Sequence, residues 1–318
     1  MFGELPKLFG RDFVIAYFLP AVSFLAATRF VLEQFQISLS FLSFSSATVF
    51  RDLAMFGLAA LFAAIILSVL NRAIIRTMEG YWPFNLGQYL NGYQKRRYAR
   101  LSKQEALSDK QRQDYAAGEF PRRLQNTRNK IKRKKAEQFP SKEYLILPTS
   151  FGNAFRAFET YPQALYGIDA IPGWYRLLAV VPNEYRVLMD AARGRVDLWA
   201  NATFLGFLVT IEFLIAVIWS RVATGSLPGR RVLWIPFVTI VISFLAYRFA
   251  RDAAIEWGHW VKSAFDLYLP ALRKALEFTA PKTAGEERSM WSGFNKAVIY
   301  REASAMPDKT RLSLKQDS

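Results

Sequence analysis

The chain has 318 residues, 52% of them apolar, with 27 Phe, 14 Tyr and 8 Trp, yet its formal net charge is +16. Such a composition excludes an ordinary soluble domain unless apolar and charged residues are segregated, and they are segregated along the chain. With no cysteine and one histidine, His259, the chain cannot build a disulfide framework, a thiolate metal site, an iron–sulfur cluster or a histidine-rich zinc site; no metal or cofactor is expected.

The first apolar run, Phe13 to Leu32, is interrupted only by Pro20 and Arg29. About 20 helical residues cross an apolar bilayer core of about 30 Å, so this run is long enough to span. Lys7 and Arg11 ahead of it resemble the start of a signal peptide, but a small-x-small cleavage site is missing and Pro20 lies mid-run, so a retained span is expected. The outer loop alternates apolar residues with serine (Ile37-Ser38-Leu39-Ser40-Phe41), as an amphipathic strand or an interfacial loop would. The second run, Leu53 to Leu70, has no charge at all.

Residues 76–197 carry 22 basic side chains against 12 acidic. Tyr93 to Ala117 and Arg122 to Phe139 read as two polar helices around a break at Gly118-Glu119-Phe120-Pro121. Only Leu124 and Ile131 look like a seam, so the hairpin should be weakly held without a neighbour. The second helix holds Arg122, Arg123, Arg128, Lys130, Lys132, Arg133, Lys134 and Lys135, eight cations in fourteen residues. Near a bilayer each is attracted to anionic lipid by about 1 kcal/mol. An acidic partner is an alternative, as is a solvated face that only sets topology. Nucleic acid is disfavoured because the run has no aromatic residue on which bases could stack.

Glu143 to Pro148 reads as extended chain, with Thr149 or Ser150 capping a helix that begins at Phe151 and closes at Tyr161-Pro162. A turn at Tyr166-Gly167-Ile168-Asp169 and the pair Pro172-Gly173 then precede an aromatic helix from Trp174. Within this stretch Asn153 lies near a helix start, where free amides favour an anion. Arg156 and Glu159 are three apart and can pair. Asp169 can join Glu159 around a cation or ligand, or all four can form a polar network that fixes a tight turn. Pro148, Gly152-Asn153, Arg156, Glu159, Pro162 and Tyr166-Gly167-x-Asp169 together resemble a segment of uncharacterised bacterial multi-span membrane proteins. The resemblance covers some 25 to 35 residues and the general span pattern; it implies architecture and no activity.

Pro182-Asn183 starts a helix in which Tyr185, Leu188, Met189, Ala192, Val196 and Trp199 recur at helical spacing. Run on to Ser220, it is about 57 Å long. Its apolar part, Leu198 to Ser220, contains one acid, Glu212. An acid at the centre of a span costs about 2.5–3.5 kcal/mol, so Glu212 should face the bundle or water, lining an ion path, relaying a proton, or pairing with Arg29 or Arg221. The fourth run starts at Val232 and is completed by the turn from Arg248 to Ala254. Beyond it, Trp257, Val261, Ala264 and Tyr268 form a stripe ending near Pro270. His259, between Trp257 and Trp260, reads as part of an interfacial aromatic belt. From Thr279 onward the tail is mixed and expected to be partly disordered.

The expected fold is therefore an all-α integral membrane protein with four transmembrane helices. A first hairpin occupies 1–75, a basic cytoplasmic helical domain 76–197, a second hairpin 198–254, and an amphipathic helix with a partly disordered tail 255–318. Basic residues concentrate in 76–197 and in the tail after Tyr247 (12 basic, 9 acidic), which places both with the termini on the cytoplasmic side of an inner, plasma-type membrane. Arg221, Arg230 and Arg231 in the last outer loop oppose that orientation but are outnumbered. No phosphate-binding glycine loop, nucleophile elbow or dinucleotide fingerprint occurs, so no catalytic residue is assigned. The expected function is a homo-oligomeric pore or membrane effector gated by the cytoplasmic domain. The alternative is a scaffold or accessory subunit that docks a membrane-protein partner or lipid through residues 122–135. A lipid enzyme using Asp169 and Glu159 ranks last.

Overall fold

The computed structural model describes residues 10–37, 48–81, 87–115, 120–225 and 232–308. The serine-rich outer loop, most of the Gly118-Glu119 break, Arg230, Arg231 and the last ten residues lie outside them. Among the described residues the chain is all-helical, with no strand. In chain order the helices are α1 (Arg11–Gln34), α2 (Val49–Glu79), α3 (Gly87–Gln113), α4 (Arg122–Gln138), α5 (Ser150–Glu159), α6 (Tyr161–Tyr166), α7 (Ala170–Val180), α8 (Asn183–Thr224), α9 (Trp234–Ala275) and α10 (Ala284–Ile299). Four of them, α1, α2, α8 and α9, are long and apolar enough to cross a membrane.

The chain divides into two units, residues 1–78 with 191–253 and residues 79–190 with 254–318; the divisions fall at the end of α2 and inside α8 and α9. In the first unit, small residues let helices approach closely. Ala21 of α1 packs with Ala64 of α2, and Leu25 with Ala60. Val31 packs with Val209, Phe213 and Ile235. A Cβ on Gly206 of α8 would collide with the Ser243 hydroxyl of α9, so glycine sets that approach. The opposite face of α2, with Leu58, Phe62 and Val69, stays exposed. Pro20 does not break α1: the turn before it, Val14–Phe18, widens to π-helical hydrogen bonding.

In the second unit the polar hairpin is real but differently bounded and differently held. The first of its helices, α3, starts at Gly87 rather than Tyr93, and its seam with α4 is ionic. Arg128 pairs with Asp109 at 2.5 Å, Lys132 with Asp109 at 2.9 Å and Lys135 with Glu105 at 2.8 Å. Glu105 and Asp109 lie one turn apart on α3, and Arg128, Lys132 and Lys135 share one face of α4, so the facing rows match in charge. At the base of the hairpin Leu101, Phe139 and Ile146 form a small core.

Several sequence expectations are corrected here. Glu143–Leu145 forms a short 3₁₀ turn before the chain extends at Ile146. Tyr161-Pro162 opens α6 rather than only closing α5, because proline fits the first turn of a helix, where its missing N–H is not needed. For the same reason α7 begins at Ala170, four residues before Trp174, with Asp169 as its cap and Pro172 in its first turn. Similarly, α9 continues through Pro270 to Ala275. Both Pro270 and Asp266, whose carbonyl loses its helical donor, are on the exposed side, so the carbonyl is not sealed from solvent. Within the tail expected to be partly disordered, Ala284–Ile299 folds as α10, burying Trp291 and Phe294 against Phe278. Its start is a capping box: Thr283 accepts from the Glu286 amide at 3.1 Å, and Glu286 accepts from the Lys282 amide at 2.6 Å.

Candidate functional site

The first unit encloses polar side chains at three levels along α8. At the first, Asp197 is almost fully buried and 3.2 Å from the Arg193 guanidinium, one turn earlier. Tyr17 of α1 donates to Asp197 at 3.3 Å, and the buried Asn71 of α2 stands beside it. One turn on, the fully buried Asn201 donates its Nδ2 to the Ala16 carbonyl at 2.9 Å. Each amide must turn its NH₂ toward an acceptor, so its oxygen points elsewhere; Oδ1 of Asn71 and Oδ1 of Asn201 are buried without a hydrogen-bond partner among the described residues. At the second level the Thr210 and Thr239 hydroxyls bond at 2.8 Å, linking α8 to α9. At the third, Thr28 of α1 donates to Glu212 at 2.8 Å.

Glu212 is thus half-buried and turned toward α1, where its partner is the neutral Thr28 hydroxyl. The two arginines named as one set of candidate partners have other acceptors: Arg29 pairs with Glu33 at 2.6 Å and Arg221 donates to the Gly225 carbonyl. Both acceptors lie four residues along the same chain, within easier reach than a neighbouring helix.

The four polar residues of the second unit do not converge on one ligand. Asn153 is completely buried and satisfied by its own loop: Nδ2 donates to the carbonyls of Leu147 and Thr149, both at 2.8 Å, and Oδ1 accepts from the Leu147 amide at 2.8 Å. It fixes the entry to α5, where Thr149 accepts from the Gly152 amide, so its side chain is not available to an anion. Asp169 caps α7 through the Ile171 amide at 3.0 Å, and its own amide donates to Asn295 of α10. Arg156 and Glu159 do pair, at 3.3 Å, and Arg156 also donates to the Tyr81 hydroxyl. Burial holds the Glu159 carboxyl above its usual range; Arg156 opposes that shift and the negative charge of Asp169 adds to it.

The basic run of α4 separates into two sets. Arg128, Lys132 and Lys135 are used in the ionic seam, and Arg133 pairs with Glu137 at 2.6 Å. Arg122, Arg123, Lys130 and Lys134 are exposed and make no ion pair with a described residue. His259 lies 3.4 Å from Glu137. Its tryptophan neighbours pack on protein: Trp257 meets Phe158 at 5.0 Å between centroids and Trp260 meets Tyr185 at 5.4 Å.

Sequence reasoning singled out Glu212 but passed over Tyr17, Asn71, Asp197 and Asn201. The missing signal was spacing: Arg193, Asp197 and Asn201 are each four apart and share one helix face. No known protein family, curated protein or solved structure matches the chain, so the resemblance carried by Pro148 to Asp169 rests on those residues alone.

Proposed function

We propose that the chain is a polytopic membrane protein of an inner, plasma-type membrane, with both termini cytoplasmic, that acts as a homo-oligomeric pore or membrane effector under the control of its basic helical unit. One observation carries this reading. From Asp197 to Glu212 the enclosed polar groups extend over about 22 Å of α8, most of the thickness of a bilayer core. Polar groups are disfavoured in that setting, and a bundle held by apolar packing alone has no use for so many of them. The exposed apolar face of α2 is available to lipid or to a second copy. Purified protein in liposomes is expected to conduct ions, with conductance reduced by Glu212→Gln and by Asp197→Asn. Native mass spectrometry is expected to give a closed assembly of three or more copies. Conductance no greater than that of empty vesicles would falsify the pore.

A second reading is favoured by the unpaired set on α4. Arg122, Arg123, Lys130 and Lys134 fit a scaffold that docks anionic lipid or an acidic partner. Reversing those four charges is expected to abolish sedimentation with phosphatidylglycerol vesicles; undiminished sedimentation counts against it.

A further inference from the structure

The second unit holds a cleft of about 160 Å³ whose walls include Phe158 and Glu159 of α5, Trp174 and Tyr175 of α7, and Trp257 and Phe265 of α9. The rings are fixed by one another. Phe158 lies edge-on to Trp257, Phe155 supports both from behind at 5.2 and 5.6 Å, and Trp174 is 6.1 Å from Phe265. Gly258 lets the Phe158 ring lie against α9, since a Cβ there would stand 2.6 Å from it.

Glu159 is the one acid in that wall, and no basic residue lines the cleft. Arg156, its ion-pair partner, stands outside the lining and engages Oε2 alone; Oε1 has no hydrogen bond among the described residues. Aromatic faces attract cations, and the rings that keep accessible surface in this wall, those of Trp174, Tyr175 and Trp257, stand with a carboxylate and no basic residue among them. A hydrated metal ion does not fit, because it needs several oxygen ligands and the wall offers one carboxylate among rings. A neutral apolar ligand would fill the space but make no use of Oε1, which Arg156 leaves without a hydrogen bond. A compact organic cation matches both features, with methyl groups against the rings and charge shared by ring faces and carboxylate. A cavity of roughly 150 Å³ admits a group the size of benzene, and a trimethylammonium group is no larger.

We propose that this cleft binds a quaternary or tertiary ammonium group, through the accessible Trp174, Tyr175 and Trp257 rings and the Glu159 carboxylate, with the buried Phe158 and Phe265 rings holding the tryptophans in place. The probe is choline, titrated calorimetrically into the full chain in maltoside detergent, against its neutral carbon isostere, in which carbon replaces the charged nitrogen. Choline is expected to bind saturably and at least about tenfold more tightly than the isostere. Glu159→Gln keeps the side-chain shape, and it is expected to weaken choline about tenfold while leaving thermal unfolding of the unliganded chain unlowered. Trp174→Leu is expected to weaken choline further. Equal affinity for choline and its isostere would overturn the proposal, as would choline binding indifferent to Glu159→Gln or an absence of saturable binding. Titrations in phosphatidylcholine and phosphatidylglycerol nanodiscs separate the sources: competition in the former assigns the group to a lipid head, equal affinity in both to a soluble ligand. The proposal stands apart from the pore reading, since it needs no conductance and uses no residue of the first unit.

Discussion

Asn201 gives its side-chain amide to the carbonyl of Ala16, the acceptor that Pro20, four residues further along α1, has no N–H to serve. A proline in α1 and an asparagine in α8 are therefore one device: the defect made by the first is repaired by the second. The π-helical turn before Pro20 opens α1 at the point where the amide enters.

That pairing predicts a coupling. Asn201→Leu leaves the Ala16 carbonyl buried without its amide donor and is expected to lower stability by about 1–3 kcal/mol. Pro20→Ala restores a backbone donor, so the double variant should lose less than the sum of the two single changes. Thermal unfolding of the four proteins in detergent measures it. Strict additivity would mean that Asn201 stabilises the bundle by some other route.

The ionic seam predicts a pH and salt response. Hydrogen bonds from Lys132 and then Arg128 hold the Asp109 carboxyl below its usual range. Because the folded value lies below the unfolded one, the stabilisation is present above the ordinary carboxylate range and is lost as pH falls through the folded value. Amide exchange in α3 and α4 should quicken below about pH 4 and in high salt, and Asp109→Asn should remove the part of that response that belongs to Asp109. Protection that is unchanged between neutral and acidic pH would show that the seam does not hold the hairpin.

Gly152 predicts a steric effect. A Cβ there would meet the Glu79 carbonyl and stand 2.9 Å from the Glu79 Cα, and neither is the free end of a flexible side chain. Gly152→Ala should therefore destabilise the second unit by about 1–3 kcal/mol. Gly57→Ala, where nothing lies within 4 Å, should leave stability unchanged or raise it by up to about 1 kcal/mol. Equal effects of the two substitutions in thermal unfolding would refute the contact.

Trp291 predicts a local effect. It is fully buried between Phe278 and Phe294, so Trp291→Ala should cost about 3–5 kcal/mol and loosen α10 first. New tryptic cleavage at Arg288 or Lys296, before any in α8, is the expected readout.

The four long apolar helices were legible because their composition has no other use. Glu212 was legible because it stands alone in an apolar run. Asn71 and Asp197 were not, since each lies at the edge of its run, where polar residues are ordinary, and only pairing across helices gives them meaning. The basic run was visible as charge but not as a seam, because Glu105 and Asp109 lie on another helix and had not been matched to Arg128 and Lys132. The mixed composition after Thr279 hides α10, although Thr283-Ala284-Gly285-Glu286 spells a helix start. Asn153 and Asp169 read equally as ligands or as caps; which of them is spent on the backbone depends on geometry that spacing does not contain.

The interrupted path of the first unit has a consequence for its birth. Residues 79–190, 112 in number, are synthesised between its two halves. At roughly 5–20 residues per second, the α1–α2 hairpin waits about 6 to 22 s before Asp197 and Asn201 leave the ribosome. Through that interval the Ala16 carbonyl has no partner from α8. Quality-control proteases and insertion chaperones would meet the hairpin in this half-built form, and variants that slow elongation across 79–190 should prolong it.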